Sequence, residues 1–271
     1  MKQQPKAYKE AKYNIPDVFE GKHPNSKVLI ISSGPSTKEI LPYKKEIKKY
    51  FDVVIAVNHG FKYFDELTDY HIVTEKPSPT NHVAEMLNEA EYRRDIPRII
   101  NWKGLPHYNH KYNLHKIVRQ EIRDGFSVRK YTQVDGSEGM LTGKPNKRNM
   151  AVGSVTLSSM HLACILGASE IYLIGADMIF KDQYDHFYPD NQYRDPNQQN
   201  KVKPVNRVHV VEVEHNGKKY TTTDYFRDSA VCINEMIKTT FSSVKIHDFS
   251  DGLITTAIPL KVDEFFGKSV N

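Results

Sequence analysis

Short apolar, β-branched runs alternate along the chain with longer stretches of helical period, a pattern that predicts strands interleaved with helices. KVLIIS over residues 27–32 reads as a buried strand. Ser36 or Thr37 then caps a helix through TKEILPYKKEIKKY, interrupted at Pro42. FDVVIAVN (51–58) and YHIVTEK (70–76) are the next two strands, with GFKYFDEL as a short helix between them, and PRIINW holds a fourth strand. Residues 155–166 read as a buried helix stopped by Gly167, and EIYLIGAD as a central strand ending at Asp177. Alternation around Asn216-Gly217 predicts a hairpin. DYFRDSAVCINEMIKTTF follows as a helix, VKIHDFS as a last strand and VDEFF as a short terminal helix.

Repeated β-α units of this kind build a parallel sheet in an α/β fold. The 271 residues suit one such domain over 27–271, preceded by a polar N-terminal extension (1–26). The Asp-, Asn-, Gln- and Pro-rich stretch and the hairpin over about 181–225 read as a lid built of loop plus hairpin.

Ligands of parallel sheets bind beyond the carboxyl ends of the strands, which is where Ser33, Asn58 and Glu75 fall. The break Ser-Ser-Gly-Pro-Ser over 32–36 places backbone N–H groups and hydroxyls where a nucleotide phosphate can sit. Gly34 permits close approach, and Pro35 and Ser36 complete the turn. Gly153 and Ser154 open the long helix, whose N-terminus can take an anion. The chain contains neither GxxxxGK[ST] nor GxGxxG at these junctions, so this is neither a Walker loop nor a dinucleotide fingerprint.

Beyond the central strand, GADMIFKDQYDHFY carries Asp177, Asp185 and His186 as candidate catalytic groups, with the His186 imidazole suited to general-base work near neutral pH. Tyr184 and Tyr188 stand alongside as phosphate donors, and Lys144, Lys147 and Arg148 as neutralising cations. Asp177, with Asp182 and Asp185, is also a candidate oxygen-ligand set for Mg2+. Zinc is disfavoured, because no cysteine joins the HYNH fragment at 107–110.

Charge refines the partner class. A net +5 from 38 basic and 33 acidic residues suits a phosphorylated ligand, whereas a dedicated nucleic-acid binder is usually more basic. Residues 91–133 mix cations with aromatic rings and read either as a solvated connection or as an acceptor platform. Cys164 and Cys232 lie in apolar helical segments and read as small core residues of a reducing compartment. With no apolar leader and no span-length apolar window, a cytoplasmic protein without a membrane span is expected.

SSGPSTKEI, VVIAVN and GSVTLSSMHLACILGASEIYLIGAD resemble the family of uncharacterised and motility-accessory-factor proteins (domain of unknown function 115), which includes the archaeal 6-hydroxymethylpterin diphosphokinases. More distantly, they are similar to the bacterial lipooligosaccharide sialyltransferases. The resemblance covers about residues 27–188, and more weakly KIHDFSDGLITTAI. It implies a Rossmann-like parallel sheet of glycosyltransferase type (GT-A-like variant). It also implies nucleotide or nucleotide-sugar binding through Ser33 and Gly34, Asn58 and Ser154. Two departures stand out: the sialyltransferases have asparagine where this chain has Ser33, and their catalytic histidine falls where this chain reads TTTDYFRD.

The expected activity is transfer of a sugar from a nucleotide-sugar donor to a hydroxyl of a glycan, a protein or modified DNA. The alternatives are an ATP-dependent diphosphokinase acting on a hydroxymethylpterin-like alcohol, and a non-catalytic module that binds a polyanion.

Overall fold

The computed structural model describes residues 19–58, 60–73, 96–100, 114–116, 154–181, 210–215 and 217–267. Strand β1 (Ser26–Ile31) leads into helix α1 (Thr37–Ile40), a 3-10 turn at Leu41–Glu46 and α2 (Ile47–Tyr50). β2 (Val53–Val57), α3 (Gly60–Phe64), β3 (Tyr70–Val73), β4 (Arg98–Ile100) and β5 (Leu114–Lys116) follow. The second half contains α4 (Val155–Leu166), β6 (Ala168–Ile174), β7 (Val210–His215), β8 (Lys218–Thr223) and α5 (Asp224–Lys238). β9 (Lys245–Asp248), β10 (Ile258–Pro259) and α6 (Val262–Gly267) close the described chain.

Eight strands form one sheet in the order β10-β9-β6-β1-β2-β3-β4-β5, and every neighbouring pair is parallel. The expected Rossmann-like parallel sheet is therefore present. From β1 the chain steps outward through β2 to β5, then returns through α4 to place β6 on the other side of β1. In doubly wound sheets, ligands bind at the carboxyl ends of the strands beside such a reversal.

Both faces of the sheet are covered, which is why the strands read as continuous apolar runs. Val28, Ile30, Val53, Ile55, Ile171 and Leu173 face α4 and α5 with Leu157, Met160, Leu166 and Ile233. The alternate residues Leu29, Ile31, Val54, Tyr172 and Ile174 pack on the other side against Ile40, Ile47, Phe51, Phe64, Val262 and Phe266.

Helix α4 is buried almost all round, hydroxyls included; Ser159 satisfies its own by donating to the Val155 carbonyl at 2.9 Å. Gly167 ends the helix in the left-handed region (φ 99°), as expected, with its N–H returning to the Ala163 and Cys164 carbonyls. Residues 19–25 lie along this helix end: the N–H groups of Gly21, His23 and Asn25 donate to the Ile165, Leu166 and Gly167 carbonyls at 2.8–2.9 Å. They satisfy acceptors that the last turn leaves open.

The hairpin forms around Gly217, and its Val213 and Tyr220 pack on the core. The loop half of the expected lid lies outside the described residues. Cys164 and Cys232 pack against the core on α4 and α5. Among the described residues, no helix is long and apolar enough to cross a membrane.

Pro42 does break the first helical run, into α1, the 3-10 turn and α2. The expected cap, however, is not made. Ser36 holds the N-cap position with helical backbone angles (φ −64°, ψ −15°) and no capping side-chain bond. Its hydroxyl reaches across to Asp177, and Thr37 Oγ1 donates back to the Ser32 carbonyl at 2.9 Å.

Candidate functional site

The turn after β1 is sewn to the end of β6. Ser32 N–H donates to the Ile174 carbonyl at 2.8 Å, Gly34 N–H to the Gly175 carbonyl at 2.9 Å and Ser36 N–H to Asp177 Oδ2 at 3.2 Å. Thr37 N–H, in turn, donates to the Gly34 carbonyl at 3.1 Å. These four donors are therefore engaged within the protein.

The glycines serve the same junction. A Cβ on Gly34 would lie 2.3 Å from Asp177 Oδ2 and 2.5 Å from the Gly175 carbonyl oxygen, so the close approach that Gly34 permits is to β6. Gly175 itself has φ +72°, and a Cβ there would lie 2.0 Å from Thr37 Oγ1. Pro35 is buried in the turn.

Asp177 is buried, with its Oδ2 accepting from Ser36 Oγ at 2.9 Å as well as from Ser36 N–H. Its Oδ1 has no hydrogen-bond partner but lies 3.4 Å from Lys181 Nζ, which also reaches Glu39 at 3.7 Å. Burial pushes the Asp177 carboxyl up from its ordinary value, opposed by Lys181 and by the Ser36 bonds. A second carboxyl, Asp248 at the end of β9, is pushed up further by burial; hydrogen bonds from Ser250 oppose this and the neighbouring Asp177 charge adds to it.

These bonds describe an anchor for the turn. They fit a magnesium ligand poorly, since one oxygen is committed to Ser36 and the other faces an ammonium. Among the described residues, no group of three or more His, Cys, Asp or Glu side chains is placed to hold a metal ion.

Ser33 Oγ donates to the Val57 carbonyl at 3.3 Å, which joins the turn to the end of β2. There Asn58 adopts a left-handed backbone (φ +47°), and its half-buried side chain has a buried carboxamide oxygen with no hydrogen-bond partner. Such a conformation and an unsatisfied acceptor are the kind of strain that gathers at ligand sites.

The His71 ring, stacked on Phe61, bonds the Asn58 carbonyl at 3.0 Å and fixes the backbone here. Ser32 Oγ meets Thr156 Oγ1 at 2.9 Å, bringing the start of α4 to the same edge. Ser154, the N-cap of α4, is buried and makes no side-chain cap bond. A helix running antiparallel to the strands presents its N-terminus at their carboxyl edge, with unpaired N–H groups and a partial positive charge.

The structure therefore brings Ser33, Gly34, Pro35, Ser36, Asn58, Ser154 and Asp177 to one edge. Glu75, Arg148, Gly153, Tyr184, Asp185, His186 and Tyr188 lie outside the described residues, as do Lys144, Lys147 and Asp182. Sequence reasoning missed Lys181, Asp248 and Ser250. Asp248 carries the signal that marked Asn58 and Asp177, a polar residue ending an apolar strand.

No family model matches the chain, and no curated protein matches it in sequence. Among solved structures, it is similar to the MAf glycosyltransferase from Magnetospirillum magneticum AMB-1, with a TM-score of 0.58 and 16% identity over 89% of this chain. The chain spans about a third (34%) of that protein's length. It is also similar to the sialyltransferase CstII from Campylobacter jejuni in complex with a substrate analogue, cytidine-5'-monophosphate (TM-score 0.47, 14% identity, 88% of this chain and 85% of that one). The monofunctional alpha-2,3-sialyltransferase Cst-I from the same organism gives a TM-score of 0.46 at 16% identity, over 88% of this chain and 80% of that one. The overlap with the Magnetospirillum protein shows a shared fold.

Proposed function

We propose that the chain is a transferase that holds a nucleotide-sugar over the carboxyl edge of β1, β2 and β6 and passes the sugar to an acceptor hydroxyl. One observation carries this reading: the start of α4, the unsatisfied Asn58 carboxamide and the β1 turn converge at the point where the strand order reverses. A nucleotide supplies what that edge lacks, a donor for the Asn58 oxygen and negative charge for the α4 N-terminus. The fold shared with a glycosyltransferase supports the same class.

The roles divide by geometry. Ser33 and Gly34 form a rigid wall, Asn58 and Ser154 bind, and Asp177 anchors the wall through Ser36. Transfer to a hydroxyl also needs a proton acceptor and donors to the leaving phosphate. His186 and Asp185 are proposed for the first task, and Tyr184, Tyr188, Arg148 and Gly153 for the second, in a domain of residues 27–271 whose lid spans about 181–225. The acceptor is a glycan, a protein or modified DNA. The diphosphokinase alternative is weaker, because it asks Asp177 to hold a metal where its oxygens already serve Ser36 and Lys181.

Calorimetry and thermal shift with CMP, UDP, GDP and ADP and their sugar conjugates test the proposal. At least one is expected to bind and raise the melting temperature. If none binds, the reading fails.

A further inference from the structure

Ser250 closes the KIHDFS stretch but is not among the candidate site residues above, yet it lies where three strand ends meet. Ala176 N–H donates to Ser250 Oγ at 3.1 Å, while Gly175 N–H donates to Ser36 Oγ at 3.0 Å. The two hydroxyls are themselves 3.1 Å apart. Successive N–H groups of the chain leaving β6 thus end on a pair of serines, one from the β1 turn and one from the segment after β9. Ser250 N–H in turn donates to Asp248 Oδ1 at 2.9 Å.

We propose that Ser250, held by Asp248, is a positioning residue for the 32–37 turn, and through it for the nucleotide, a role that rests on the nucleotide reading above. The bonds to its hydroxyl support it. Ser250 Oγ takes Ser36 Oγ at 3.1 Å and Ala176 N–H at 3.1 Å, so it ties the β1 turn to the chain leaving β6 beside the 2.9 Å bond from Ser36 to Asp177. The turn passes its position on to both binding elements, through Ser33 to the β2 end and through Ser32 to α4.

The segment carrying Ser250 is itself fixed from several sides. Leu253 N–H donates to the Asp177 carbonyl at 3.0 Å, and a Cβ on Gly252 would lie 2.0 Å from that oxygen. Asn234 of α5 donates through Nδ2 to the Leu253 carbonyl at 2.8 Å and accepts from Thr256 N–H at 2.9 Å. Helix α5 therefore sets the height of Ser250 under the turn.

The test uses the 271-residue chain with Ser250→Ala, Ser250→Thr and Asp248→Asn, read by hydrogen exchange of the amides in 32–38 without ligand and by titration with CMP, UDP, GDP and ADP. In Ser250→Ala, loss of the two part-buried hydrogen bonds to the Ser250 hydroxyl is expected to speed turn exchange and weaken the best-bound nucleotide by about five- to tenfold each. Ser250→Thr, which keeps the hydroxyl, is expected to restore both readouts, and Asp248→Asn, which keeps an acceptor for Ser250 N–H, to stay near wild type. Wild-type exchange and affinity in Ser250→Ala, in a protein that binds a nucleotide, overturn the positioning role alone. A wild-type protein that binds none of the four refutes the nucleotide reading and the role built on it.

Discussion

Gly34→Ala tests whether the turn after β1 is a structural junction. The added methyl would sit 2.3 Å from Asp177 Oδ2, 2.5 Å from the Gly175 oxygen and 3.0 Å from the Gly175 carbonyl carbon. Two of these three atoms are backbone, and the carboxylate is pinned by Ser36, so the junction has to open. Overpacking of this kind costs about 1–3 kcal/mol. Opening also breaks the 2.9 Å bond from Gly34 N–H to Gly175 and loosens the Ser36 bonds to a buried carboxylate. Those losses add about 1 kcal/mol for the neutral bond and about 1.5–3 kcal/mol for the charged one.

The sum is about 4–7 kcal/mol, and at roughly 2–4 °C per kcal/mol for a domain of this size the melting temperature falls by about 10 °C or more. Thermal and urea denaturation followed by circular dichroism measure it. Two glycines with nothing within 4 Å of an added Cβ serve as controls. Gly217→Ala bears only the left-handed backbone penalty at φ +74°, about 1–2 kcal/mol, and Gly267→Ala is expected to be close to neutral. If Gly34→Ala loses no more stability than Gly217→Ala, the turn is not the close-packed junction argued above.

Two further outcomes follow from the buried polar groups. Burial lowers the His161 imidazole to about 3, so the folded state binds fewer protons than the unfolded one below about pH 6.5, and stability falls with acidification by roughly 1.4 kcal/mol per pH unit. Asp248, raised by burial, works in the opposite sense: its contribution is complete in acid and is lost as pH rises from the ordinary carboxylate range through its folded value. Between about pH 4 and 6.5 the two oppose each other. His161→Leu should therefore lose stability with rising pH there, and Asp248→Asn should gain it; identical slopes by urea denaturation in both variants would contradict the assignment. Asn58→Gly suits the φ of +47° and is expected to keep or raise the melting temperature while weakening nucleotide binding several-fold; unchanged affinity would remove Asn58 from the site.

The sheet was legible because its central strands are buried on both faces, so Val28 to Ile31 and Ile171 to Ile174 appear as unbroken apolar runs. β5 and β10 escaped notice for the opposite reason. They are three and two residues long, Leu114–Lys116 and Ile258–Pro259, and exist as strands only by pairing with β4 and β9. Ser36 misled the helix reading, because local chemistry favours a cap whereas its hydroxyl is drawn 141 residues along the chain to Asp177. Asp177 was found by its place at a strand end, but its task was not, since only the fold shows which groups face a carboxylate.

A phosphate-cradling loop works by directing several backbone N–H groups outward at once. Here the N–H groups of Ser32, Gly34, Ser36 and Thr37 all point into the protein's own carbonyls and carboxylate. The turn contributes rigidity where such a loop would contribute charge. On the nucleotide reading proposed above, recognition then falls to its neighbours, the α4 start and Asn58, whose polar groups the fold leaves less satisfied. It follows that substitutions within the turn should act on affinity in proportion to how far they displace those neighbours. Ser32→Ala, which cuts the 2.9 Å link to Thr156 and leaves the Ser32 backbone bonds intact, should weaken a nucleotide more than its effect on stability alone would suggest.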